Sequence, residues 1–252
     1  MTVRSTPASL DYSSGVVARG VGRVLGAAGA GLLGTASLIA LAAPAAAAAP
    51  GCSDVEVVFA RGTAEPAGIG RVGQAFVDSL KNQIGAGKTV GVYAVNYPAS
   101  YDFLQAADGA NDASAHVQAT AATCPNTHIV LGGYSQGAAV VDFITAAQGP
   151  VFGFTNLMPP NIVDHVSAVA VFGNPSDRIG KPLTTFSTLY GAKTIDLCNG
   201  ADPVCSDGDD RAAHSLYVEA GLASQAADFA AQRVTGAAAP DPAQLASSVE
   251  PQ

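Results

Sequence analysis

Short runs of apolar residues alternate along this chain with segments whose apolar residues recur every three or four positions. The runs are typical of strands buried on both faces of a parallel sheet, and the spaced segments are typical of covering helices. The pattern therefore predicts a three-layer α/β sandwich with a central parallel five-stranded sheet. The predicted strands are residues 55–60, 89–97, 128–134, 166–172 and 194–198, and the predicted helices are 69–84, 105–122, 136–147 and 214–234.

The first 49 residues follow a different pattern. Three arginines precede an uncharged apolar run at 24–43, and the Ala-rich stretch 45–49 follows it. This order is typical of a secretory signal peptide, predicted here at 1–49. A membrane anchor is the alternative, because a run of about 20 apolar residues is long enough to span a bilayer. The break at Pro44 and the small residues after it favour export with cleavage.

The Ala- and Pro-rich end of the chain predicts a disordered tail at 236–252. The remaining residues, 50–235, are predicted to form a single domain.

Composition limits the functions that this domain can have. The net charge is −8 and no basic cluster occurs, which argues against nucleic-acid binding. Trp is absent and only 6% of residues are aromatic, which argues against a stacking platform for sugars or bases.

Four cysteines occur, Cys52, Cys124, Cys198 and Cys205. An even number in an exported chain favours two disulfides, and three connectivities are possible. A local pairing of the last two would leave Cys52 with Cys124. No Cys-x-x-Cys occurs and no His stands at ligand spacing from a Cys, so neither a metal nor another cofactor is expected.

The segment Gly133-Tyr-Ser-Gln-Gly137 fits Gly-x-Ser-x-Gly and lies between a predicted strand and a predicted helix. A serine on so sharp a turn has a strained backbone, and the residues two before and two after it must be small. The turn lifts the hydroxyl above the sheet and aims the helix N-terminus at the substrate oxygen. Ser135 is therefore the predicted nucleophile. The alternative, an ordinary glycine-rich turn, is disfavoured by this context.

A serine nucleophile needs a base, which in this fold follows it and the acid along the chain. His214 is the candidate by elimination. His165 precedes a strand and so lies at the wrong end of a parallel sheet, while His116 and His128 precede the serine.

Two aspartates follow strands and could orient the base. Asp202 is favoured over Asp177, because a Cys198–Cys205 disulfide would fix its loop. The oxyanion hole is expected at the turn after the first strand, where Thr63 offers a backbone N–H and a hydroxyl, and at the N–H of Gln136.

These segments resemble the cutinase family of serine esterases over residues 51–235. The shared motifs are Val-Val-Phe-Ala-Arg-Gly-Thr-x-Glu at 57–65, Gly-Gly-Tyr-Ser-Gln-Gly at 132–137, Cys-x-x-x-Asp-Pro-Val-Cys at 198–205, and His214. The resemblance implies an α/β-hydrolase-type fold without a helical lid and disulfides 52–124 and 198–205. It also implies a triad of Ser135, Asp202 and His214, with Thr63 and Gln136 at the oxyanion hole.

One segment departs from the family. Cutinases carry apolar residues between the acid and the His, whereas residues 206–213 here are strongly polar. Long-chain lipid and polyester substrates are less expected for that reason. Other apolar side chains could either compensate or pack in the core: Phe152, Phe154, Leu157 and Met158.

The expected function is that of a secreted serine carboxylic-ester hydrolase working through an acyl-enzyme, on short- to medium-chain esters or lipids. The chain is expected to be a monomer that contacts its ester or lipid substrate and, transiently, a lipid or cell-envelope surface. Two enzyme alternatives use the same triad, an acyltransferase and a polysaccharide deacetylase. A non-catalytic envelope-binding protein is the alternative of another class.

Overall fold

The computed structural model describes residues 51–236, so the predicted signal peptide and almost all of the predicted tail lie outside the described residues. Five strands form one parallel sheet in the order β2-β1-β3-β4-β5. They are β1 (Val55–Ala60), β2 (Val90–Ala94), β3 (His128–Tyr134), β4 (Val166–Phe172) and β5 (Thr194–Leu197).

Helices cover both faces of this sheet. They are α1 (Gly70–Ile84), α2 (Ala106–Thr123), α3 (Gln136–Ala146), the single turns α4 (Pro175–Arg178) and α5 (Leu183–Phe186), and α6 (Leu222–Thr235). The helices α2 and α3 pack on one face and α1 and α6 on the other, which gives two separate apolar cores. The predicted three-layer α/β fold is confirmed.

The central strands explain why the apolar runs are continuous. In β1, Val55 and Val57 point into the core under α1 and α6, whereas Val58 and Ala60 point into the core under α2 and α3. Successive side chains of a strand face opposite sides, so a strand covered on both sides is apolar at most of its positions.

The predicted helix 214–234 is wrong in its first third. His214 lies in the 3-10 turn Ala213–Ser215, and α6 begins only at Leu222. Gly221 has a left-handed backbone (φ 74°), which a continuous helix excludes. Leu216, which the sequence places on the buried side of a helix, is 42% exposed. The predicted strands 89–97 and 194–198 are also too long, because β2 ends at Ala94 and β5 ends at Leu197.

Two disulfides tie the ends of elements together. Cys52 joins Cys124, linking the chain before β1 to the end of α2, and Cys198 joins Cys205, closing the loop after β5. Within residues 51–236, no helix combines the length and apolarity that crossing a membrane requires.

Candidate active site

Ser135 occupies the turn between β3 and α3 and has the backbone angles φ 56° and ψ −117°. The left-handed φ is unusual for a residue with a side chain and marks local strain. The glycines two residues away are required by close packing. A Cβ on Gly133 would lie 2.2 Å from the carbonyl oxygen of Gly137, and a Cβ on Gly137 would lie 1.9 Å from that of Ala60.

His214 approaches the serine from the loop after β5. Its Nε2 lies 2.9 Å from Ser135 Oγ, and its Nδ1 lies 2.7 Å from Asp202 Oδ2. These two contacts suit a neutral imidazole that donates from Nδ1 and accepts at Nε2, the form needed to take up a hydroxyl proton.

Asp202 is completely buried and accepts three hydrogen bonds. Besides His214, its donors are the Tyr217 hydroxyl at 2.7 Å and the Val204 backbone N–H at 2.9 Å. The Cys198–Cys205 disulfide encloses Asp202 in a short loop. A buried carboxylate needs such donors in place of water, and it is thereby fixed in orientation.

Tyr217 is a site residue that sequence reasoning missed. Its side chain is fully buried, and burial together with the Asp202 carboxylate raises the pKa of its phenol, so that it stays a donor. In the sequence, only the spacing His-x-x-Tyr from His214 to Tyr217 could have indicated this role. Tyr134 supports the same loop, because its hydroxyl donates to the carbonyl of His214 and its ring stacks on the imidazole at 5.1 Å.

The turn after β1 meets the start of α3. Thr63 Oγ1 donates to Gln136 Oε1 at 3.2 Å, so the two residues predicted for the oxyanion hole are in contact. Gln136 is almost completely buried, whereas Thr63 is half-buried. The pair therefore sits at the N-terminus of α3, where the helix dipole favours negative charge.

Two further residues that sequence reasoning did not single out fix this turn. The buried Arg61 guanidinium donates to the carbonyl oxygens of Tyr97 at 2.6 Å and Glu65 at 2.9 Å. The Glu65 carboxylate accepts the backbone N–H groups of Gly62 at 2.7 Å and Arg71 at 2.8 Å. Arg61 thus ties the turn to the segment after β2, and Glu65 ties it to α1.

The other acid considered from sequence, Asp177, lies in α4 and is not bonded to His214. It faces Asp196 on β5, and burial beside that carboxyl raises the pKa of Asp177 to about 7. His128 and His165 line a depression at the amino end of the sheet, the end away from Ser135. His116 bonds Glu56 at 3.1 Å.

Of the four apolar residues left open between surface and core, Phe154 is completely buried, and Leu157 and Met158 pack on the core under α2 and α3. Only Phe152 is exposed, at 70%. A second exposed segment, 101–104, lies beside the turn after β1, because Ala64 N–H donates to the Ala99 carbonyl at 2.7 Å. This segment contributes Tyr101, Phe103 and Leu104 to the surface.

No group of three or more His, Cys, Asp or Glu side chains within residues 51–236 is arranged to bind a metal ion. The site consists of a serine, an imidazole, a buried carboxylate and polar groups at a helix N-terminus. Those groups are sufficient for acyl transfer at a carbonyl carbon.

The fold and this geometry define an α/β-hydrolase-type protein with a serine at the nucleophile position. The family model described as Cutinase matches residues 51–234. The chain belongs to the cutinase family and is a serine esterase.

Mycobacterial proteins are among its relatives. "Phospholipase Culp4" of Mycobacterium tuberculosis is 57% identical over 195 residues, covering 77% of this chain and 84% of the relative. "Carboxylesterase Culp1" of Mycobacterium bovis is 51% identical over 214 residues, covering 81% and 94% respectively.

Two solved structures are also similar. A Trichoderma reesei cutinase in complex with a phosphonate inhibitor is 37% identical, with a TM-score of 0.60 over 73% of this chain and 77% of that one. An acetyl xylan esterase is 27% identical, with a TM-score of 0.63 over 73% of this chain and 99% of that one.

Proposed function

We propose that this protein hydrolyses carboxylic esters by a two-step acyl transfer on Ser135. His214 is the general base and acid, and Asp202 orients and stabilises its imidazolium. Gln136 and Thr63 are the donors to the oxyanion. The observation that carries the proposal is the continuous chain of hydrogen bonds from Ser135 Oγ through His214 to the buried Asp202.

In the first step Ser135 Oγ attacks the ester carbonyl carbon while its proton passes to His214 Nε2. The carbonyl electron pair moves onto oxygen, where the donors at the α3 N-terminus stabilise it. The C–O bond to the alcohol then breaks, and the leaving oxygen takes the proton from His214. Water repeats the sequence on the acyl-enzyme, releasing the carboxylic acid and regenerating the serine.

The proposed substrates are short- to medium-chain esters or lipids. The exposed side chains of Tyr101, Phe103 and Leu104, beside the turn that carries Thr63, support a substrate with an apolar part. The names of the relatives, a phospholipase and a carboxylesterase, fit this class. We also propose that the protein is exported by the leader at 1–49 and acts outside the cell, a compartment in which its two disulfides persist.

The decisive test is Ser135→Ala in the purified protein, assayed with p-nitrophenyl butyrate. We expect kcat to fall by about 10⁶ and labelling by a fluorophosphonate probe to disappear. Ser79→Ala, which removes a hydroxyl bonded to Ser224 between α1 and α6, is the control and should retain wild-type turnover and labelling. Near wild-type hydrolysis by the Ser135 variant would refute the assignment.

A polysaccharide deacetylase is the second candidate. The polar loop 206–213 beside His214 would suit a sugar better than a long aliphatic chain, and acetyl xylan esterase is a structural neighbour. Acetate release from acetylated xylan at a kcat/KM above that for p-nitrophenyl butyrate would favour it. Products formed with added acceptor alcohols distinguish hydrolysis from acyl transfer.

A further inference from the structure

His214 reaches Ser135 from a long connection that contains little regular structure. Between the end of β5 at Leu197 and the start of α6 at Leu222, the structure describes one regular element, the 3-10 turn Ala213–Ser215, called here the histidine turn. The Cys198–Cys205 disulfide closes only the first part of this connection. A base must keep a fixed distance from its nucleophile, so the histidine turn needs anchors of its own.

The three carbonyl groups of the histidine turn supply these anchors. Each accepts a hydrogen bond from a side chain in a different part of the fold: Asn199 donates to Ala213 at 2.7 Å, Tyr134 to His214, and Arg71 to Ser215. The three donors come from the chain after β5, from the end of β3 and from the first turn of α1. Asn199 and Tyr134 are largely enclosed, whereas Arg71 approaches from the surface with 49% of its side chain exposed.

Arg71 occupies a position where the electrostatics of a helix disfavour a cation. It is the second residue of α1, and a helix N-terminus carries a partial positive charge. Two carboxylates offset this charge. Glu65 Oε1 accepts the backbone N–H of Arg71 at 2.8 Å, and Glu219 Oε1 lies 2.9 Å from its guanidinium. The stability of α1 therefore does not account for an arginine here, whereas the bond to Ser215 does.

The guanidinium holds the connection at two points. Its Nη1 donates to Glu219 and its Nη2 donates to the Ser215 carbonyl. Glu219 lies between the histidine turn and α6, so both acceptors belong to the connection that carries His214. A planar guanidinium directs two such bonds from a fixed fork, which the single ammonium of a lysine does not.

The main chain of Arg71 is tied to the turn that carries Thr63. The Glu65 carboxylate that accepts the Arg71 N–H also accepts the Gly62 N–H, at 2.7 Å. Gly70 makes this approach possible, because it has φ 68° and a Cβ there would lie 2.2 Å from a Glu65 carboxylate oxygen. Arg71 therefore completes a short bonded path from the turn after β1 to the histidine turn.

We propose that Arg71 is a positioning residue for ester hydrolysis, whose guanidinium holds the histidine turn at a set distance from the turn that carries Thr63. The inference rests on the proposed function, in which the imidazole of His214 and the oxyanion donors must surround the same carbonyl carbon. Arg71 acts through His214 and transfers no proton. Its loss lowers kcat, because misplacing a catalytic group by about 1 Å costs up to about 10²-fold in rate.

The test removes the donor and keeps the aliphatic stem. Arg71→Met should lower kcat for p-nitrophenyl butyrate by at least about tenfold and leave KM within about twofold of wild type. Arg71→Lys should recover most of the loss, since an ammonium can still donate to the Ser215 carbonyl. In both variants Tm should fall by about 2 °C at most, because the side chain is half-exposed. If Arg71→Met does not fold, Arg71→Gln carries the same expectation.

Two variants are matched controls. Glu219→Gln removes the charge of the ion pair and leaves the donor to Ser215, so kcat should stay within about threefold of wild type. Arg233→Met removes a guanidinium that donates to the carbonyls of Phe229 and Ala192 near the start of β5, at 3.4 Å each. It should keep kcat within about twofold of wild type.

A His214→Ala background distinguishes positioning from general damage. With no imidazole to position, adding Arg71→Met should change the residual rate of fluorophosphonate labelling at Ser135 by less than about twofold. Three results would overturn the inference: an undiminished loss in that background, wild-type kcat in Arg71→Met, or an equal loss in Glu219→Gln. If the wild type neither hydrolyses the ester nor reacts with the fluorophosphonate, the proposed function fails instead.

Discussion

Asp202 and a group of three other buried or partly buried aspartates lie near the carboxyl ends of β4 and β5, and they differ in what surrounds them. Asp202 accepts hydrogen bonds from His214, Tyr217 and a backbone N–H. The second group, called here the acid cluster, consists of Asp142 on α3, Asp177 on α4 and Asp196 on β5. Asn174 donates to Asp142 at 3.1 Å and to Asp196 at 3.2 Å, and so links α3 to β5.

The acid cluster is short of donors. One carboxyl oxygen of Asp177 and one of Asp196 are buried without a donor in the described part of the chain, and the two carboxyls face each other. Burial raises the pKa of Asp142 to about 7 and also raises that of Asp196. One proton between Asp177 and Asp196 satisfies both orphan oxygens. The two groups thus differ in how fully their carboxyl oxygens are paired, because Asp202 accepts three hydrogen bonds whereas Asp177 and Asp196 each keep one oxygen without a donor in the described part of the chain.

The largest expected effect separates the two groups by activity. Asp202→Asn should lower kcat by about 10⁴, because an amide cannot fix the required tautomer of His214 or stabilise its imidazolium. Asp177→Asn should leave kcat within about twofold of wild type, since Asp177 does not contact the site. Both are measured with p-nitrophenyl butyrate. Loss of activity in the Asp177 variant alone would identify Asp177 as the acid.

The acid cluster should instead control stability through pH. Because the pKa of Asp142 is raised, the contribution of its protonated carboxyl to the free energy of unfolding is fully present below about pH 4. That contribution is lost as the pH rises through about 7. Asp142→Asn imitates the protonated acid and removes this loss. Its free energy of unfolding in urea should equal that of the wild type at pH 4 and exceed it at pH 8, by an amount on the order of a few kcal/mol.

Asp207→Asn, in the exposed loop before His214, is the control for that series. Its difference from the wild type should not grow between pH 4 and pH 8 in the way expected for Asp142→Asn. A difference at Asp142 that is constant with pH would show that this carboxyl is ionised throughout the range.

Removing one donor from Asp202 sharpens the comparison further. Tyr217→Phe loses a hydrogen bond to a charged acceptor and should lower stability by about 1.5–3 kcal/mol. The change should also lower kcat, because Asp202 loses one of the three donors that fix its carboxyl against His214. A role in packing alone would lower stability and leave kcat unchanged.

Tyr190→Phe is the matched control with the smallest expected effect. Tyr190 is also buried, but its hydroxyl has no hydrogen-bond partner in the part of the chain that the structure describes. Its removal should be neutral or slightly stabilising and should leave kcat unchanged. A loss equal to that of Tyr217→Phe would assign both effects to packing.

Local signals in the sequence determined much of this protein. Continuous apolar runs predicted the five strands, because a strand buried on both faces has no polar side. The glycines around Ser135 predicted the strained turn, since backbone contact at 2 Å excludes a Cβ. Chain order and strand polarity singled out His214, and the short cysteine loop favoured Asp202. The structure brings both within hydrogen-bond distance of their neighbours.

The tertiary structure decided what depends on the relative placement of distant elements. Periodicity extended the last helix to His214, yet the left-handed Gly221 and the burial of Tyr217 end that pattern and give Asp202 its third donor. The acid cluster joins α3, α4 and β5, whose aspartates look like ordinary surface residues in sequence. Which aspartates meet depends on how α3, α4 and β5 pack in space, and no local pattern in the sequence encodes that.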